Sequence, residues 1–269
     1  MTTRGTPAPF DDIVTPQAVS ADQFRLEIPE GWQQGPSTFG GLLLSAMTRA
    51  MEATVPSERV LRSLNAELCG PVASRPAALR VETLRTGSAV SVVACRLIQD
   101  DAVQANAVGV FGRSRTPNAD RLTLTPPHRS DWRALTPFTP ESSWPRFTAM
   151  FEYRVSAFPP WSGGSEARTE GWVRPKNPGA RRDAAFAIAC IDSWWPALFT
   201  VEPEFRPVTT VSFAFHVCGT LEGLDPEAPL LYRASAPMIR EGYSREFREL
   251  WGEDGRLVAM NEQTFVILK

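Results

Sequence analysis

Asp192 stands in the run Ala187-Ile188-Ala189-Cys190-Ile191-Asp192-Ser193-Trp194-Trp195. On a helix its surface neighbours are Ile188 and Ala189 behind it and Trp195 and Pro196 ahead of it, all of them apolar. A carboxylate on an apolar stripe is costly unless something compensates, and desolvation raises its pKa towards that of a usable general base. A helix-end Asp that reaches water or a structural partner fits the same pattern. Gly40-Gly41 precede the run Leu42-Leu43-Leu44. Without side chains they let backbone N–H groups come close to a carbonyl oxygen, at a helix N-terminus that favours developing negative charge. A tight turn that needs glycine's backbone freedom accounts for them as well. Gln263 follows Asn261 near the end of the chain. Its amide donates and accepts at once, which suits holding a water, and it equally suits the solvent side of an edge strand.

Other chemistries find less support. His216 lies between Phe215 and Val217 and reads as a hydrogen-bonded structural histidine, while His128 falls in a Pro-rich stretch and reads as solvated. No Gly-x-Ser-x-Gly elbow is present, which disfavours a serine triad. Cys69, Cys95, Cys190 and Cys218 form no CxxC pair; each sits in an apolar stretch and is expected to be a buried free thiol of a reducing compartment. No Cys/His cluster has metal-ligand spacing, so neither a metal nor a redox cofactor is expected. With 28 basic and 30 acidic residues the net charge is −2, and no basic stripe for a nucleic acid appears. No stretch approaches the roughly 18 apolar residues of a membrane span. Met1 to Asp12 lacks a charged region followed by an apolar run, and the cytoplasm is the expected compartment. Positive charge is almost all Arg, with only Lys176 and Lys269. That suits phosphate recognition or a codon bias.

These residues need elements to position them. Leu43, Ala46, Met47 and Ala50 recur at helical spacing over 42–52, and Pro56 stops that helix. A strand is expected before it at 24–28. Strands are expected after it at 60–68, 78–84, 90–98 and 103–111, separated by turn signals with no helices between them. Residues 114–145 carry Pro117, Pro126, Pro127, Pro137, Pro140 and Pro145 and read as a surface linker. The grammar then returns. Strands at 148–155 and 167–174 precede a helix over 184–198 that Asp183 could cap. Strands follow at 208–217, 230–236, 243–251 and 257–268. Arg85-Thr86-Gly87 is echoed by Arg240-Glu241-Gly242. The reading is a duplication of an α+β layer in which one long helix meets a curved antiparallel sheet, with units 1–113 and 146–269 joined by the linker.

The stretch Thr38-Phe39-Gly40-Gly41 and its helix, Thr54-Val55-Pro56-Ser57-Glu58-Arg59, Ser63-Leu64-Asn65-Ala66, Gly70-Pro71 and Val81-Glu82-Thr83-Leu84-Arg85-Thr86-Gly87 together resemble the type II acyl-CoA thioesterase family. So, more thinly, do Ala187 to Asp192, Phe213-Ala214-Phe215-His216, and Asp254 to Ala259 with Gln263. The resemblance implies a tandem double hotdog fold and hydrolysis of an acyl-CoA thioester to free acid and CoA by an activated water. By the same resemblance Asp192 deprotonates that water and Gln263 helps to hold it. Gly40 and Gly41 meet the thioester, the acyl chain lies in an apolar channel between the units, and Trp194 and Trp195 are core or wall that channel. The family pattern calls for a hydroxyl early in the strand after the second helix, where Val208 stands instead. Strict alternation along a strand puts Thr210 on the face of Val208 with Ser212, and Thr209 with Val211, Phe213 and Phe215. Thr210 is the expected third member and Thr209 the reserve. The Val208 departure leaves room for a catalytically weak or inactive acyl-CoA-binding hotdog protein. A hotdog hydratase would need an Asp/His pair that the sequence does not offer. Hotdog units pair, which the fusion satisfies internally, and a further homo-oligomer through sheet edges is possible.

Overall fold

The same order of elements occurs twice along the chain. The computed structural model describes residues 8–115, 124–225 and 227–268; residues 116–123 of the expected linker and the first seven residues lie outside them. The first half comprises α1 (Phe10–Ile13), β1 (Gln17–Ala18), β2 (Gln23–Leu26), β3 (Gln33–Gln34), β4 (Ser37–Thr38), α2 (Gly40–Glu52), β5 (Val60–Leu68), β6 (Ala77–Thr86), β7 (Val90–Gln99) and β8 (Ala102–Gly112). The second comprises β9 (Phe151–Ala157), β10 (Arg168–Pro175), α3 (Ala184–Ser193), β11 (Val208–Val217), β12 (Leu230–Arg240), β13 (Tyr243–Trp251) and β14 (Leu257–Ile267).

One 12-stranded sheet runs β1-β2-β6-β7-β8-β5-β11-β14-β13-β12-β10-β9. Read from its two ends, β2-β6-β7-β8-β5 and β10-β12-β13-β14-β11 have the same topology. They meet where β5 pairs antiparallel with β11, Ala66 opposite Phe213. This is a tandem double hotdog: each sheet half wraps a helix. The seam places α2 and α3 side by side and antiparallel, with Ser45 Oγ of α2 2.7 Å from the Ala185 carbonyl of α3. A single apolar core takes in Leu43 and Met47 of α2, Ile188 and Ala189 of α3, Leu64 and Phe111 of the first half, and Phe213 and Leu250 of the second.

The ends of α3 have local causes. Asp183 caps it as expected, its carboxylate accepting the Phe186 N–H at 3.1 Å. The helix stops at Ser193, five residues short of the expected end. Pro196 disfavours helical geometry in the residue before it, and the chain resumes as a 3-10 turn, Ala197–Thr200. Two further expectations fail for one reason, alternation at strand ends and faces. Cys69 and Cys218 are exposed, and only Cys95 and Cys190 are buried. His216 points outward because its neighbour Phe215 takes the inner face. The described part of the Pro-rich stretch does more than cross the surface: Phe138 and Trp144 lie 5.1 and 5.5 Å from the Trp195 ring. Among the described residues no helix is long and apolar enough to cross a membrane.

Candidate active site

The start of α2 abuts the end of α3. Phe39, fully buried and stacked 4.2 Å from Phe147, anchors the turn into α2. Gly40 and Gly41 then face Asp192. Neither adopts a positive φ, so backbone freedom does not explain them; space does. A Cβ on Gly40 would lie 3.1 Å from Asp192 Oδ2. One on Gly41 would lie 2.4 Å from the Phe39 ring and 3.1 Å from Asp192 Cβ. The Gly41 N–H, unpartnered within its helix, faces the Asp192 carboxylate and helps to hold its pKa down.

Asp192 is enclosed, its side chain 9% exposed. Burial pushes its carboxyl above the usual Asp range, while the Arg248 charge, the Gln263 amide and the Gly41 N–H pull it part of the way back. The Gln263 Nε2 donates to Asp192 Oδ1 at 2.8 Å, and Thr210 Oγ1 donates to Gln263 Oε1 at 3.0 Å. Asp192, Gln263 and Thr210 thus form one hydrogen-bonded chain. Thr209 is exposed and Val208 packs against the core.

Thr210 reaches this chain by a route the alternation argument missed. A bulge at Val211 breaks the β11 register between Thr210 and Ser212. Val208 and Thr210 therefore share the inner face with Phe213 and Phe215, while Ser212 turns outward. Two residues on one strand opposite one on its partner shift the side-chain parity of everything before them.

Asn261, unassigned from the sequence, orients Gln263. Its Nδ2 donates to the Ala214 carbonyl at 2.7 Å, which turns its Oδ1 towards Gln263 Nε2 at 3.0 Å. With both Gln263 N–H groups engaged by acceptors, Oε1 faces Thr210. The available signal was the Asn-x-Gln spacing, which places both amides on one face of a strand. Glu246 and Arg248 of β13, opposite Gln263 and Asn261, were also missed. Glu-x-Arg reads as a solvated pair, yet Ser244, Glu246 and Arg248 alternate inward and are buried.

The counterpart positions in the first half lack this chemistry. β5 carries an equivalent bulge between Leu61 and Ser63, with Leu61 opposite Phe111 and Leu64 opposite Gly109. In β11, Thr210 is opposite Phe265 and Phe213 opposite Gln263. Leu61 and Gly109 thus stand where Thr210 and Gln263 stand in the second half.

Residues 28–112 match the family of acyl-CoA thioesterase N-terminal domains, and residues 124–267 match the family of acyl-CoA thioesterase C-terminal domains. The chain belongs to the acyl-CoA thioesterase family. As a member it is a thioester hydrolase. No curated protein matches it in sequence. Among solved structures, a protein of unknown function with a hot dog fold from Alicyclobacillus acidocaldarius superposes with a TM-score of 0.87 at 21% identity, covering 98% of this chain and 99% of that one. The tesB protein of Mycobacterium avium subs paratuberculosis gives 0.81 at 16%, covering 97% and 98%. The acyl-CoA thioesterase II TesB2 of Mycobacterium marinum gives 0.74 at 16%, covering 96% and 98%. At these identities the likenesses establish the thioesterase's fold alone.

Proposed function

We propose that the protein hydrolyses acyl-CoA thioesters with Asp192 as general base towards one water. The observation that carries this is the chain Thr210–Gln263–Asp192 with its fixed donor direction. Because the Thr210 hydroxyl gives its proton to Gln263, its oxygen lone pairs remain open to a water hydrogen. The water's second hydrogen goes to Asp192, and its lone pair is left to face the thioester carbonyl. Holding the nucleophile in this way removes much of the entropic part of the barrier.

Asp192 takes the proton as the C–O bond forms. The Gly40 N–H, at the positive end of α2, stabilises the oxyanion, while the Gly41 N–H holds the carboxylate. Collapse of the tetrahedral intermediate breaks the C–S bond, and the proton held by Asp192 leaves with the CoA sulfur. Assay of the purified protein against acyl-CoA esters of graded chain length tests this. Thiol release that Asp192→Asn abolishes is the expected result. Tight acyl-CoA binding without turnover at any chain length refutes it in favour of a binding protein.

A further inference from the structure

Beneath the end of α3 lies a buried ion pair that the reaction as described does not use. The Arg248 side chain is 1% exposed and that of Glu246 0%. Arg248 Nε donates to Glu246 Oε1 at 2.7 Å, and Nη1 donates to the Ile191 carbonyl at 2.9 Å. The same Nη1 is 3.7 Å from Asp192 Oδ1. Glu246 is held in turn: Oε2 accepts the Ala197 N–H at 2.6 Å and Oε1 the Tyr232 hydroxyl at 3.3 Å. The guanidinium lies between the Tyr232 and Phe265 rings, 5.7 and 5.2 Å from their centroids.

An isolated charge in such a place is costly, and a buried pair gives little net stability over an apolar replacement. This pair is tied to the residue that carries the base. We propose that Arg248, held by Glu246, is a positioning residue for Asp192: it fixes the last turn of α3 through the Ile191 carbonyl and sets the positive charge beside the carboxylate. The inference rests on the reading of Asp192 as the base.

The groups facing Asp192 are few enough to predict a direction. From α2 comes the Gly41 N–H, and from β14 the Gln263 amide. β13 supplies Arg248 with Glu246 behind it. β9 and β12 supply the buried phenols Tyr153 and Tyr232, which burial keeps neutral. Arg248 is the cation of this set and opposes the desolvation of Asp192. Two carboxylates, Asp192 and Glu246, share it.

The test is the pH profile of kcat in three variants. Arg248→Met should move the acid limb to higher pH by about one to three units, with a loss of rate near neutrality that alkaline pH largely restores and with KM little changed. Glu246→Gln should move the limb the other way, because Arg248 then serves Asp192 alone. Arg248→Lys should keep the limb close to that of the parent. A uniform loss of rate with an unmoved limb in both Arg248→Met and Glu246→Gln overturns the proposal. Carbon-13 titration of the Asp192 carboxyl reads the same shifts without turnover, so an inactive protein still decides it, and an unmoved titration refutes it. Full activity in Asp192→Asn would instead remove the catalytic reading on which it rests. Should Arg248→Met fail to fold, the opposite shift in Glu246→Gln carries the test.

Discussion

With Asp192 as the proposed base, rate and stability are coupled through one carboxyl. That carboxyl titrates above the ordinary Asp range because burial opposes the charged form, so activity should rise with pH as it ionises. The sign for stability is opposite. Below the unfolded pKa the group is protonated in both states and costs nothing; as pH rises through the folded pKa, ionisation inside the protein weakens the fold. Asp192→Asn should therefore lower kcat by about a hundredfold to ten-thousandfold while raising Tm near neutral pH, as thiol-release kinetics and calorimetry would show. Thr210→Val should cost about tenfold to a hundredfold in kcat, the worth of a hydrogen bond in a charged network. Thr210→Ser, which keeps the hydroxyl, should retain most of the rate. Asp192 was legible in the sequence because a carboxylate among Ile188, Ala189 and Trp195 is anomalous. Asn261 and Arg248 were not, because polar residues at alternate strand positions look like a solvent face until the sheet shows which side is covered.

The pairing of α2 with α3 positions Asp192, and its tolerances are tight. Gly41→Ala would drive a Cβ into the Phe39 ring. Overpacking of this kind costs about 1–3 kcal/mol and would displace Asp192. Chemical denaturation should report the loss, together with a fall in kcat larger than any change in KM. At the far end of the pair, Glu52 of α2 is pushed up to about 7 by burial and by the Asp183 charge, against Arg181 and Arg49. It also lies at the helix terminus that disfavours negative charge. Its contribution to stability is present below the ordinary Glu range and is lost as pH rises through about 7. Glu52→Gln should raise Tm above that pH and leave it unchanged in acid, in a calorimetric pH series. The long strands and both helices could be read from periodicity and turn residues. The bulge at Val211 could not, because a single extra residue in a strand leaves no mark in composition yet reverses which threonine faces inward.

At the scale of the molecule, the duplicated order of elements was visible in the spacing of helices and turns, and it led to the tandem arrangement. The contact of the halves was not, since nothing in β5 or β11 alone announces that each borders the other. That seam, and a core shared by both helices, should make the chain unfold as a unit. Calorimetric and van't Hoff enthalpies are expected to agree, and two resolved transitions would contradict the shared core. The unequal residues at equivalent bulges carry a further consequence. With Leu61 and Gly109 opposite in role to Thr210 and Gln263, the two-fold likeness of the backbone stops short of the chemistry. The first unit contributes shape, presenting Gly40 and Gly41 to its neighbour. On the proposed mechanism the second carries shape and reactivity together, and one polypeptide offers one turnover centre.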